Sequence, residues 1–154
     1  MNNSQIAHVM ERIGLLLELK GENPFKTQAY YRASLIMAAL PFSLEVPDAQ
    51  EHLRNISGIG EALEKKILVL LKTEELGYQK KLESEIPPVM IEMMRIPGLG
   101  PKKIRRLVET ARVHGRVVQK TLFNIGNIEN WQKDKVDECI TQLTAFSVRI
   151  PLVV

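Results

Sequence analysis

Apolar residues recur along most of the chain at the spacing of helices. In the first such stretch they are Ile6, Val9, Met10, Ile13, Leu16 and Leu17, and steps of three and four place them on one helix face. Gly21 ends this stretch, and a second begins after Asn23-Pro24 and ends before Pro41. Only 116–119 and 147–154 have a strand-like pattern. The pattern therefore predicts an all-α fold, a helical bundle with little or no strand.

An internal repeat is the most informative feature of the sequence. Ile56-Ser57-Gly58-Ile59-Gly60 precedes a helical stretch, and Ile96-Pro97-Gly98-Leu99-Gly100 precedes another forty residues later. A short helical segment comes before each copy, and Asp48 is predicted to cap the first of these segments. One copy would be explained by glycines that merely permit a tight turn. Two copies at a fixed spacing favour a shared function.

The repeat suggests two small helical domains. Residues 1–83 would contain the first copy, and residues 84–154 the second, with the boundary near Pro87-Pro88. A weaker third copy, Phe123-Asn124-Ile125-Gly126, precedes a predicted helix over about 131–143. Asparagine replaces the first glycine there, so we interpret it as a degenerate hairpin.

Each repeat is suited to binding an anion. A glycine turn that enters a helix leaves backbone N–H groups without partners, and the helix dipole adds positive charge there. The second copy is followed by four basic residues, Lys102, Lys103, Arg105 and Arg106. The first copy has Lys65 and Lys66, with Glu61 and Glu64 beside them. We therefore expect the second copy to bind phosphate more strongly. Neither copy has the Gly-Lys-Ser/Thr ending of a P-loop.

Charge along the chain points to the same region. The 154 residues include 21 basic and 18 acidic ones, a net charge of +3. Residues 95–120 alone hold eight basic residues and Glu109 as the one acidic residue, so this window carries +7 and the remainder −4. This concentration favours a polyanionic partner. A solvated basic helix face without a partner is the alternative.

Composition excludes several other classes. The single cysteine, Cys139, rules out an internal disulfide and a multi-cysteine metal site, and the three histidines are scattered. No stretch has the length of a membrane span and no signal peptide is evident, so we expect a cytoplasmic, nucleoid-associated protein without membrane contact. Aromatic residues make up only 5%, which weighs against a stacking platform for single strands.

Together these segments resemble the N-terminal region of bacterial family X DNA polymerases, which are similar to polymerase beta. The two repeats look like helix-hairpin-helix motifs. The resemblance also includes Leu17–Lys26, Ala29-Tyr30, Arg32-Ala33 and Ile86–Pro88, together with Ile96–Arg105. It is close over residues 3–112 and loose beyond them.

The resemblance implies a lyase-type helical domain followed by a DNA-binding subdomain. It implies binding of gapped, nicked or duplex DNA without sequence specificity, by a monomer that works with other repair proteins. The residues that would contact phosphate are Gly58, Gly60, Ala62, Lys65, Gly98, Gly100, Lys102, Lys103, Arg105 and Arg106. No cofactor is required, but hairpin carbonyls would hold K⁺ or Na⁺, namely those of Arg54, Ile56, Ile59, Met94, Ile96 and Leu99.

Whether the chain is an enzyme stays open at this stage. With three aspartates and no Asp-x-Asp pair, it is not expected to contain a polymerase active site. The resemblance places Lys66 at the position of a Schiff-base lysine, and Lys26 and Tyr30 where a 5′-phosphate binds, which implies 5′-deoxyribose-phosphate lyase activity as an alternative. A solvated helix lysine is the simpler interpretation of Lys66. A helix-hairpin-helix protein–protein adaptor is a third hypothesis.

Overall fold

The first two helices begin and end close to the positions that the periodicity predicts. The computed structural model describes residues 1–113, apart from the side chains of Val89 and residues 110–113. Seven α-helices lie in this range: α1 (Asn3–Lys20), α2 (Pro24–Ala39), α3 (Pro47–Gln50), α4 (Glu61–Thr73), α5 (Gly77–Glu85), α6 (Pro88–Met93) and α7 (Pro101–Val113). A turn of 3₁₀ helix spans Leu53–Asn55. Residues 1–113 contain no strand, and the all-α prediction is confirmed.

The chain divides into two units, Met1–Glu85 and Ile86–Val154. The second is described only as far as residue 113. The assignment of domains to 1–83 and 84–154 therefore stays a prediction. The degenerate third hairpin, the helix predicted over 131–143 and both strand-like segments lie outside the described residues. Within the described range, no helix is long and apolar enough to cross a membrane.

The core of the first unit is built on α1 and α2. The Asn2 side chain accepts from the Gln5 N–H at 2.9 Å and caps α1, and Gly21 ends the helix with a left-handed φ of 80°. The apolar face is fully buried at Ile6, Met10, Ile13, Leu16 and Leu17 from α1, and at Ala33 and Met37 from α2. The predicted helix faces are thus the ones that pack.

Close approach of α2 to α1 depends on Gly14. A Cβ at Gly14 would lie 2.8 Å from the Tyr31 ring, so this ring occupies the space that any other side chain would fill. The Tyr31 hydroxyl then donates to the Glu18 carboxylate at 2.6 Å. This contact fixes the position of α2, which bears Lys26 and Tyr30.

The predicted capping role of Asp48 is wrong. Helix α3 begins at Pro47, and Val46 precedes it without a side-chain hydrogen bond. Proline suits this position because its fixed φ matches the helix and its missing N–H would have no partner there. Asp48 lies inside the first turn instead, where its negative charge still favours the helix dipole.

The two repeat copies fold into the same backbone. In the first, Ile56 N–H donates to Leu53 O, Ile59 to Ile56, and Glu64 to Gly60. In the second, the bonds forty residues on are Ile96 to Met93, Leu99 to Ile96, and Ile104 to Gly100. All six lie between 2.9 and 3.1 Å. The first glycine of each copy is left-handed, with φ of 95° at Gly58 and 78° at Gly98.

The two glycines of the first hairpin differ in what they require, and this predicts different effects of alanine. At Gly58, alanine would be strained by about 1–2 kcal/mol in the left-handed region, and its Cβ would lie 2.7 Å from the Ile36 side chain. At Gly60, φ is −83° and no atom lies within 4 Å of an added Cβ. We expect Gly58→Ala to lower the free energy of unfolding clearly, and Gly60→Ala to change it by less than about 1 kcal/mol.

Urea unfolding followed by circular dichroism checks this pair of variants. Equal losses in both would contradict the conformational assignment of Gly58.

Candidate nucleic-acid interface

Both hairpins present the N-terminus of a long helix to solvent. Gly60 and Gly100 are exposed, and an added Cβ at either would meet no atom within 4 Å. Neither has a positive φ. The fold itself therefore does not explain glycine at these two positions. A backbone without a side chain there permits close approach of an external group to the first N–H groups of α4 and α7.

The second hairpin carries exposed positive charge on the first turn of α7. Lys102 and Lys103 are both exposed, and the Lys103 Nζ donates to the Gly98 carbonyl at 2.9 Å. Arg105 lies 3.7 Å from the Glu109 carboxylate. Arg106 is exposed on the same helix. The four basic residues predicted from sequence are thus on one helix, with Lys103 drawn back over the hairpin loop.

The first hairpin has acidic residues at the equivalent place, and basic residues pair with them. Lys65 Nζ lies 2.7 Å from Glu61, and Arg54 Nε lies 2.8 Å from Glu64, whose side chain is only 13% exposed. The hydrogen bond to Glu64 raises the pKa of Arg54 above its ordinary value. Lys65 therefore does not add uncompensated positive charge next to Lys66. The first hairpin is thus closer to neutral than the second, and the stronger phosphate binding expected of the second stays a prediction.

The loop carbonyls predicted to hold a monovalent cation are compatible with one. The Ile56 and Ile96 carbonyls each accept one N–H in the hairpin, which leaves a second lone pair on each oxygen. In the described residues the other four carbonyls, those of Arg54, Ile59, Met94 and Leu99, accept no bond in the turn. No cluster of three His, Cys, Asp or Glu side chains there is arranged for a metal ion. The donor set is thus backbone oxygen, which suits a hard monovalent cation.

The residues proposed for lyase chemistry come together in the first unit. Lys26 and Tyr30 lie one turn apart on α2, and Lys66 on α4 has its Nζ 5.9 Å from the centroid of the Tyr30 ring. Sequence analysis missed a fourth member, Tyr78 on α5. Its ring stacks with that of Tyr30 at 6.2 Å between centroids and an angle of 19°. We call these four residues the tyrosine–lysine cluster.

Tyr78 lies at the centre of this cluster. The Nζ of Lys66 is 4.7 Å, and that of Lys26 5.8 Å, from the centroid of its ring. The Tyr78 hydroxyl is buried and has no hydrogen-bond partner among the described residues. Lys66 also lines an open depression of about 570 Å³, together with Glu61, Ala62, Lys65, Val69 and Leu76.

A sequence signal for Tyr78 existed but was weak. The helix α5 was not predicted, because only Leu82 of its nine residues is buried and the apolar periodicity is correspondingly poor. Tyr78 is one of only three tyrosines in the chain, and the other two are both on α2. Only the packing of α5 brings it to Lys66.

Comparisons with known proteins agree with the geometry. Residues 1–76 match the model of a helix-hairpin-helix domain. The chain is 31% identical over 114 residues to the DNA polymerase/3′-5′ exonuclease PolX of Bacillus subtilis, a match over 74% of this chain. The chain is therefore similar to a helix-hairpin-helix domain over its first 76 residues, and to a family X polymerase over most of its length. It spans about a fifth of the length of that curated relative, since the match covers 20% of it.

In the first unit, Tyr30 and Tyr31 are expected to titrate abnormally. Burial raises the pKa of both hydroxyls well above the ordinary value. The neighbouring Tyr78 hydroxyl raises the pKa of Tyr30 further, and the Glu18 carboxylate does the same for Tyr31. The unfolded chain ionises these groups near pH 10 while the folded chain keeps them protonated. The contribution of the two protonated tyrosines to the free energy of unfolding is therefore fully present below about pH 10 and is lost as the pH rises further.

Absorbance titration of tyrosinate with parallel urea unfolding measures both effects. Tyr31→Phe should remove one late-titrating group and make the free energy of unfolding less dependent on pH above 10. A Tyr31 that ionises together with free tyrosine would contradict its burial against α1.

Proposed function

We propose that this chain binds DNA without sequence specificity, as the DNA-positioning part of a family X polymerase. The observation that carries the proposal is the exposed N-terminus of α4 and of α7 behind two identical glycine hairpins. The open space at Gly60 and Gly100 allows a phosphate to approach the backbone. Contacts of this kind hold the phosphate backbone and do not read bases. The name of the B. subtilis relative, a DNA polymerase, supports DNA as the partner.

The two hairpins contribute unequally in this proposal. The first turn of α4 carries Glu61 and Glu64, whereas that of α7 carries Lys102 and Lys103. The ion pairs with Lys65 and Arg54 bring the first hairpin close to neutral. Each uncompensated cation near phosphate releases a bound counterion from DNA and strengthens binding at low salt. We therefore assign most of the salt-dependent affinity to the second hairpin.

A monovalent cation on the loop carbonyls would add positive charge to either hairpin, and this charge would matter more in the first. K⁺ or Na⁺ on the carbonyls of Arg54, Ile56 and Ile59 would supply positive charge beside the α4 N-terminus. In the second hairpin the Lys103 ammonium already lies on a loop carbonyl. In the first hairpin the residue equivalent to Lys103 is Leu63, which carries no charge.

A bulky residue at the second hairpin should weaken DNA binding without unfolding the protein. Gly100→Val places a side chain in open space, at the point where a phosphate would approach. We expect a several-fold loss of affinity for duplex DNA, measured by fluorescence anisotropy, and a smaller loss for the matched variant Gly60→Val. Gly98 is unsuitable for this test because its φ of 78° would strain any other residue. Unchanged affinity in a folded Gly100→Val protein would contradict the hairpin mechanism.

Salt dependence distinguishes phosphate binding from protein–protein assembly. Lys102→Ala should lower the slope of log affinity against log salt by about one, because one phosphate contact is lost. Lys72→Ala removes the same charge from the last turn of α4, away from the hairpin, and should leave the slope unchanged. An affinity for DNA that does not fall with salt would favour the adaptor hypothesis.

The tyrosine–lysine cluster favours a second candidate, 5′-deoxyribose-phosphate lyase activity. The unprotonated Lys66 amine would attack C1′ of the sugar and lose water to form a Schiff base. Loss of the C2′ proton would then break the bond to the 3′ phosphate oxygen, which leaves as the DNA 5′-phosphate. The amine must be unprotonated to act as the nucleophile. The convergence of Lys26, Tyr30 and Lys66 supports this candidate.

Borohydride trapping on a nicked duplex with a 5′-deoxyribose phosphate tests it. Reduction should link wild-type protein to DNA, and Lys66→Ala should abolish the adduct. Lys65→Ala is the matched control, because Lys65 is the adjacent lysine and pairs with Glu61 outside the cluster. No adduct with wild-type protein that binds the same DNA would leave DNA positioning as the function.

A further inference from the structure

The arrangement of Lys26 and Lys66 around one aromatic ring points to a role for Tyr78. An ammonium within about 6 Å of a ring centroid is attracted to the ring face. Both lysines meet this distance at Tyr78, at 5.8 and 4.7 Å, although they come from different helices. Tyr30, stacked on Tyr78, offers Lys66 a second face at 5.9 Å.

Among the described residues, the contacts of these two lysines are with aromatic rings rather than with carboxylates. Lys20, Lys65 and Lys80 each form an ion pair with a glutamate. In the part of the chain that the structure describes, Lys26 and Lys66 form none, and their contacts are with rings. Two like charges thus lie near one ring, one at 5.8 Å and the other at 4.7 Å from its centroid. An anion placed within reach of both ammonium groups would be attracted by two unit charges at once.

The charge of the pair matches one kind of DNA phosphate. A phosphate monoester at a strand end carries a charge of about −1.5 to −2 near neutral pH and has three free oxygens. A phosphodiester inside a strand carries a single charge, which one ammonium balances. Two converging ammonium groups therefore suit a terminal phosphate better than an internal one.

We propose that Tyr78 is a positioning residue whose ring holds Lys26 and Lys66 together for a 5′-terminal phosphate. This inference rests on the proposed binding of DNA and adds the residue that organises the terminal subsite. The ring does the positioning, since the hydroxyl is buried with no hydrogen-bond partner in the described residues. Phenylalanine at this position should therefore keep the preference for a terminal phosphate, whereas an aliphatic residue should lose it.

The test compares two DNA ligands that differ only at one strand end. Full-length protein is titrated with a one-nucleotide-gapped duplex that carries either a 5′-phosphate or a 5′-hydroxyl at the downstream strand. We expect wild type and Tyr78→Phe to bind the phosphorylated DNA several-fold more tightly. In Tyr78→Leu the ratio of the two affinities should fall towards one, while binding to ungapped duplex is retained.

A matched control separates positioning from stability. Tyr31→Phe removes the hydroxyl that donates to Glu18 outside the cluster, and it keeps the ring that packs against Gly14 and holds α2 in place. It should lower the melting temperature but keep the affinity ratio. Rescue by Tyr78→Phe keeps the test decisive if Tyr78→Leu proves unstable.

Three outcomes would overturn the inference. If wild-type protein binds both gapped DNAs with equal affinity, it has no subsite for a terminal phosphate. An unchanged ratio in Tyr78→Leu removes Tyr78 from it, and equal loss in Tyr78→Phe and Tyr78→Leu assigns the effect to the hydroxyl instead of the ring. Failure to bind ungapped duplex as well would reject the DNA-binding proposal itself, so the two failures are distinguishable.

Discussion

The left-handed turn at Gly58 and Gly98 is the constraint on which the rest of the candidate interface depends. A residue with φ near 80–95° reverses the chain between a short helical segment and a long helix. The reversal buries the flanking apolar residues, Ile59 and Leu99, and leaves the following helix N-terminus in solvent. Because only glycine adopts this conformation without strain, the turn also fixes where the exposed N–H groups point.

The same backbone serves two different electrostatic environments. In the first hairpin, Glu61 and Glu64 are balanced by Lys65 and Arg54, whereas the second exposes Lys102 and Lys103. The pairing of Lys103 with the Gly98 carbonyl places positive charge directly on the loop. In the proposed mode of DNA binding, the two copies therefore attract phosphate unequally although they share one backbone.

The tyrosine–lysine cluster depends on packing rather than on a motif. Gly14 lets the Tyr31 ring lie against α1, and this contact fixes α2 with Lys26 and Tyr30. Helix α5 then brings Tyr78 to Tyr30, and the ring attracts lysines from α2 and α4. Three helices of the first unit are thus needed to assemble four side chains. A change in any of the three would alter the distance between the two ammonium groups.

The sequence by itself determined the helices other than α5, the two hairpins and their unequal charge. These follow from local rules: the apolar period of α1, the left-handed glycines, and the basic residues that begin α7. The sequence did not reveal the position of Asp48 in its helix. Asp48 lies inside α3 and does not cap it, because Pro47 is the better first helical residue. Nor did the sequence reveal the role of Tyr78. Convergence on that ring joins residues up to fifty-two positions apart, and only tertiary packing sets such distances.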